Sequence, residues 1–178
     1  MMGNAPEKSD ADGQCEGRML RQKGFSLIEL LIVVAIILTI AAIAIPRLVS
    51  SRIAANEASA VSSIRTLTTA ETAYASSYPT VGYTCTLSDL GPPSGGAPLS
   101  QTASGFIDSV LAGGVKSGYV LNITNCNGTP KSTYSTSAVP ITPGSTGSRA
   151  FCSDVSGIVF FAQDGQAATC QGSGSVLQ

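Results

Sequence analysis

Between Phe25 and Ile45 the chain carries an apolar run with a single ionisable side chain, Glu29. Coiled as an α-helix at about 1.5 Å per residue, this run is roughly 31 Å long, the thickness of a bilayer hydrocarbon core. Apolar on all sides, it needs lipid or other helices around it. A carboxylate within such a span is costly, so it marks a function by default and calls for a partner. Immediately upstream lie Arg21, Lys23 and Gly24, a basic patch followed by a residue without a side chain. The two cations hold this end in the cytoplasm by the positive-inside rule, against the opposing pull of Arg47 and Arg52 beyond the run.

Two plain accounts compete for the same stretch. A secretory signal peptide ends its apolar core at a small-x-small cleavage site, and Ala42 and Ala44 supply one. An unprocessed single-span anchor needs only the apolar length. Neither has a use for Glu29, nor for the order Gly24-Phe25-Ser26-Leu27-Ile28-Glu29.

That order, with the basic patch before it, resembles the class III signal sequence of type IV prepilins. The resemblance is strong from Arg21 to about Tyr78 and thin across the C-terminal half. It implies that a prepilin peptidase cuts between Gly24 and Phe25 and that the new amine of Phe25 is methylated. Glu29 then becomes the fifth mature residue, where the family's carboxylate is thought to meet the N-terminal amine of a neighbouring subunit, with a pair inside one chain as the alternative. The resemblance also implies inner-membrane residence before assembly, an assembly platform, ATPase motors and a homopolymeric surface filament afterwards. Pro46 marks the membrane boundary on the plain reading. On the family reading it accompanies local melting of the helix as subunits enter the filament. The helix carries no second proline until Pro79.

Ahead of the cleavage site, residues 1–18 are polar and of mixed charge, with Glu7, Asp10, Asp12 and Glu16 against Lys8 and Arg18. They have no apolar core and read as disordered. Met19-Leu20-Arg21-Gln22-Lys23-Gly24 is a complete short basic leader by itself and resembles type IVa leaders. Translation from Met19 is therefore an equal reading of the start.

Past the membrane stretch a helical pattern continues. Val49, Ile53, Ala60, Ile64, Leu67, Tyr74 and Tyr78 share one face, while Arg52, Asn56, Ser59, Ser63 and Thr66 take others. The helix is expected from Ser26 to Tyr78, since Pro79 disfavours helical geometry in the residue before it. Residues 80–105, with Gly91-Pro92-Pro93-Ser94-Gly95-Gly96, read as loop. A short helical turn is expected over Phe106 to Leu111, and strands over Tyr119–Thr124, Arg149–Ser153 and Gly157–Ala162. Pro140 to Gly147 reads as irregular, and Asp164-Gly165 as a turn. The expected class is α+β, a long N-terminal helix laid on an antiparallel sheet of about four strands, as in the pilin fold. The domain reading is leader 1–24, membrane and assembly half 25–46, amphipathic half 47–78, and globular headgroup 79–178.

The chain has five cysteines, of which Cys15 falls in the leader. Cys85, Cys126, Cys152 and Cys170 fall in the segment expected to be exported, where disulfides persist. Four cysteines allow three connectivities. Cys85–Cys126 with Cys152–Cys170 is preferred because each closes a local loop, and pilins resemble this in clasping a C-terminal segment with a disulfide. A zinc site is disfavoured, as no pair has CxxC spacing and the chain has no His.

The formal net charge is −1 and only 12% of residues are charged, so no broad basic patch is available for nucleic acid. Without His, a Ser-His-Asp arrangement cannot form. Asp89, Asp108, Asp154 and Asp164 are scattered singly and read as turn and capping residues. A calcium site using Asp154 or Asp164, as in some secretion pseudopilins, is the rival reading. Asn122-Ile123-Thr124 and Asn127-Gly128-Thr129 match the N-glycosylation pattern and are read as chance. No enzyme activity, cofactor or small-molecule substrate is expected. The leading reading is a type IV pilus subunit serving adhesion, twitching motility or DNA uptake. The alternatives are a type II secretion pseudopilin, a minor pilin, and an exported anchored domain that never polymerises.

Overall fold

The computed structural model of the protein describes residues 24–177. The leader, with Cys15, Met19, Arg21 and Lys23, lies outside the described residues up to Lys23. The chain divides into two units, one reaching to Ala41 and the other covering Ala42–Gln178. Helix α1 (Leu27–Ser77) is continuous through both. Its bounds differ from expectation by one residue at each end, within the fraying of helix termini.

In the first unit α1 is exposed around its circumference, as its all-apolar composition requires. The Thr39 hydroxyl donates back to the carbonyls of Ala35 at 2.9 Å and Ile36 at 2.8 Å, so it presents no free donor to an apolar medium.

In the second unit α1 turns one face to a sheet. Ala60, Ile64, Leu67, Ala70 and Tyr74 are buried there at helical spacing. Ile53 and Tyr78 are half-buried. Val49, expected on the same face, is exposed because the covering residues begin farther along the helix. Ser63, expected elsewhere, is buried, with its hydroxyl donated to the Ser59 carbonyl at 2.9 Å.

After α1 come two short helices, α2 (Leu87–Leu90) and α3 (Ser109–Ala112), with a 3₁₀ turn at Ser94–Gly96 between them. The Asp108 carboxylate caps α3 by accepting from the Leu111 amide at 2.8 Å. The sheet follows as β1 (Val115–Lys116), β2 (Tyr119–Gly128), β3 (Lys131–Pro140), β4 (Ala150–Asp154) and β5 (Val159–Ala162). Helix α4 (Ala167–Ser173) and β6 (Ser175–Val176) close the chain. The strands lie in sequence order, every neighbouring pair antiparallel. The α+β class stands, and six strands replace the expected four.

β2 runs on to Gly128 rather than stopping at Thr124, and β3 was not anticipated. Its core-facing residues are Tyr134, Thr136 and Ala138, a run with too little apolar character to show strand periodicity alone. Register explains their burial. Leu121, Ala138, Phe151 and Phe161 form one row across β2 to β5, and Ile123, Thr136, Ser153 and Val159 form the next. Both rows face the α1 core. The opposite face of β4 and β5 carries Ala150, Cys152 and Ala162, which pack with Cys170 of α4.

Candidate assembly site

Gly24, Phe25 and Ser26 precede the first turn of α1 in non-helical backbone, and the first helical hydrogen bond runs from the Leu30 amide to the Ser26 carbonyl at 3.2 Å. A Cβ added at Gly24 would meet nothing within 4 Å, and Phe25 is 81% exposed. Among the described residues nothing covers the Gly24–Phe25 bond, which lies in non-helical backbone. Glu29 lies in the first turn of α1, where the positive helix terminus favours a carboxylate. It is exposed and outside both ion pairs found among the described residues. Pro46 sits inside α1 without ending it, although its ring removes one helical hydrogen bond.

Cys85 is joined to Cys126, and Cys152 to Cys170. The first bond ties the segment after α1 to β2, and the second ties β4 to α4. Neither Asp154 nor Asp164 belongs to a group of three metal-ligating side chains, and no such group occurs among the described residues. Each accepts instead from the backbone amide two positions on, Ser156 and Gln166 respectively, as turn residues do. Asn122 and Asn127 are exposed on β2.

Sequence reasoning missed two carboxylates on the buried face of α1. Glu57 and Glu71 share that face with Ala60, Ile64, Leu67 and Tyr74, and their helical spacing was the available signal. Glu57 Oε2 accepts from Arg149 Nη2 at 2.7 Å and from Nε at 3.0 Å, while Oε1 accepts from the amides of Ser148 and Arg149. Burial pushes this carboxyl up, but the Arg149 guanidinium and those amides outweigh it and hold it below the usual carboxylate range. Arg149 also lies over the rings of Phe151 and Phe161 at 5.4 and 5.3 Å. Its carbonyl accepts from the Tyr119 hydroxyl at 2.9 Å. Gly147 is required beside that hydroxyl, because a Cβ there would overlap it. Nearby, the Asn56 amide donates to the Thr146 carbonyl at 2.8 Å. Docking of α1 on the β3–β4 connection is therefore polar and directional, and the apolar core lies farther along the helix.

Residues 19–45 match the family described as the prokaryotic N-terminal methylation motif, a signal typical of type IV pilins and pseudopilins. The matched segment contains Gly24, Phe25 and Glu29. Neither a curated protein nor a solved structure matches the chain.

Proposed function

We propose that the chain is a structural subunit of a type IV pilus, a homopolymer assembled through its N-terminal helix. The observation that carries this reading is the placement of Glu29 in the first turn of α1, close after Phe25 inside the methylation-motif segment and without an ionic partner among the described residues. Cleavage by a prepilin peptidase between Gly24 and Phe25 frees an amine in the same apolar stretch, and methylation leaves it cationic. Opposite charges in such surroundings are tolerated as a pair, whereas a lone charge is strongly disfavoured. Pairing Glu29 of an entering subunit with the Phe25 amine of its neighbour would set the axial stagger and exclude uncut precursor.

Before assembly the chain resides in the inner membrane as a single-pass protein. Assembly moves the apolar surface of residues 25–45 from lipid into a bundle of identical helices, with Pro46 easing local melting at its end. Contacts that repeat head to tail without closing give an open filament on the cell surface. Platform and ATPase partners drive the cycle, and the role is structural rather than enzymatic. A pseudopilin shares the same N-terminal motif, and the test separates the two.

Filaments sheared from cells at native expression should contain this chain with Phe25 as its N-methylated first residue, read by intact mass. Glu29→Ala should leave mature subunit in the membrane fraction and greatly reduce sheared filaments. Normal filament yield from Glu29→Ala would remove the assembly role. Processed subunit without any surface filament, together with a secretion defect on deletion, would make the chain a pseudopilin.

A further inference from the structure

We infer that Glu71 is a proton-operated latch between α1 and the segment that follows it, closed when the carboxyl is protonated and loosened when it is ionised. Glu71 is fully buried on the core face of α1. One oxygen, Oε2, accepts from the Thr84 amide at 2.9 Å, and the other, Oε1, is buried with no hydrogen-bond partner among the described residues. A buried carboxylate with half of its acceptor capacity empty is unfavourable, and a neutral acid at the same place is far less so.

The chain is routed to make this contact. The Val81 and Gly82 amides both donate to the Tyr78 carbonyl, turning the chain sharply past the end of α1. Gly82 then passes against the Lys131 backbone, where an added Cβ would overlap the Lys131 carbonyl. The Tyr83 amide donates to that carbonyl at 3.0 Å. Thr84 follows, with its amide on Glu71 and its hydroxyl on Asp89 Oδ2 at 3.0 Å. The next residue, Cys85, carries the disulfide to β2. Thr84 thus bridges two carboxyl groups, one on α1 and one on α2.

The groups around Glu71 set its response. Burial raises its proton affinity most, and the Asp89 charge from α2 adds to this. The Thr84 amide and the Lys131 ammonium from β3 lower it, although Lys131 does not close to an ion pair. Tyr74 of α1 and Tyr134 of β3 complete the surroundings and stay neutral, their hydroxyls pushed up by the same burial. Together these leave the Glu71 carboxyl at about 7. Ionisation calls water to Oε1, and the route for water is movement of residues 79–91 away from α1. A purely structural acceptor for the Thr84 amide would be served equally by glutamine, which cannot titrate.

The test uses the full mature chain in detergent micelles. With glutamate carboxyls labelled for NMR, Glu71 should titrate well above the exposed carboxylates. Amide exchange in residues 79–91, corrected for its intrinsic pH dependence, should be on the order of ten-fold faster at about pH 9 than at about pH 5. β4 and β5 should change little. Glu71→Gln should remove that difference, and Lys131→Met should raise the Glu71 midpoint. A Glu71 carboxyl titrating with the exposed ones would overturn the latch, as would unchanged pH dependence in a folded Glu71→Gln chain. If that variant does not fold, the native titration and the Lys131→Met shift decide.

Discussion

The Glu57–Arg149 pair joins residues 92 positions apart and is half sheltered, with Arg149 34% exposed and Glu57 9%. Removing one partner of a buried pair costs about 3–5 kcal/mol, and the exposure of Arg149 lowers the expectation to roughly 2–3 kcal/mol for Arg149→Ala. Part of that loss is packing on Phe151 and Phe161, so a double-mutant cycle with Glu57→Gln should recover only part of it as coupling. The two buried glutamates respond to pH in opposite senses. The carboxyl of Glu57 is lowered in the fold, so its contribution is present above the unfolded value of 4.5 and is lost as pH falls through its folded value. The carboxyl of Glu71 is raised to about 7 from 4.5, so the folded chain binds the extra proton within that window. Its stabilisation is fully present below about 4.5 and is lost as pH rises towards 7, by roughly 3 kcal/mol in total. Urea midpoints across this range should therefore fall with rising pH in the native chain and stay flatter in Glu71→Gln. The acid-side loss should diminish in Glu57→Gln.

At the level of elements, the disulfides close loops of different length, with sequence separations of 41 for Cys85–Cys126 and 18 for Cys152–Cys170. By loop-closure entropy the longer restrains the unfolded chain more, about 4 kcal/mol against about 3. Paired Cys→Ser variants should lose stability in that order, measured by urea unfolding without reductant. The folded state adds a local difference. α4 and β6 are short, and Cys170 is the buried residue that holds α4 to β4. Exchange protection in α4 and β6 should fall first in the Cys152/Cys170 variant, while β2 and β3 remain protected by their long ladder.

For the molecule as a whole, the exposed large apolar residues concentrate between Phe25 and Val49, while the buried apolar core begins at Ala60. A run of that size is beyond what a soluble monomer leaves uncovered. A chain beginning near residue 50 should therefore be soluble and monomeric by light scattering, with both disulfides and its sheet intact. Loss of its near-UV signal would show that the headgroup depends on the first half of α1. In the full chain, if the proposed cut after Gly24 occurs, Gly24→Val should block it and leave precursor of higher mass in the membrane: the substitution meets nothing within the described chain, so the obstruction would lie in the peptidase.

The readable part of this protein was contiguous. Membrane-length apolarity, Glu29 within it, and the glycine before Phe25 are properties of a linear stretch that a bilayer or a peptidase meets one residue after another. The seven-residue spacing of Ile53, Ala60, Leu67 and Tyr74 marked one face of α1 because helical hydrogen bonds are local. Strand pairing is not local. β3, with Thr136 and Ala138 facing the core, becomes a strand through partners on β2 and β4, which its own composition does not announce. Burial of a carboxylate is likewise decided by what lies opposite. Glu57 and Glu71 occupy the core face of α1, and nothing in their neighbours along the chain points to Arg149 or to the Thr84 amide. Tertiary structure alone sets those partners: a carboxyl leaves water as the ion where a cation and amides converge to receive it, as at Glu57, and is driven towards the neutral acid where they do not, as at Glu71.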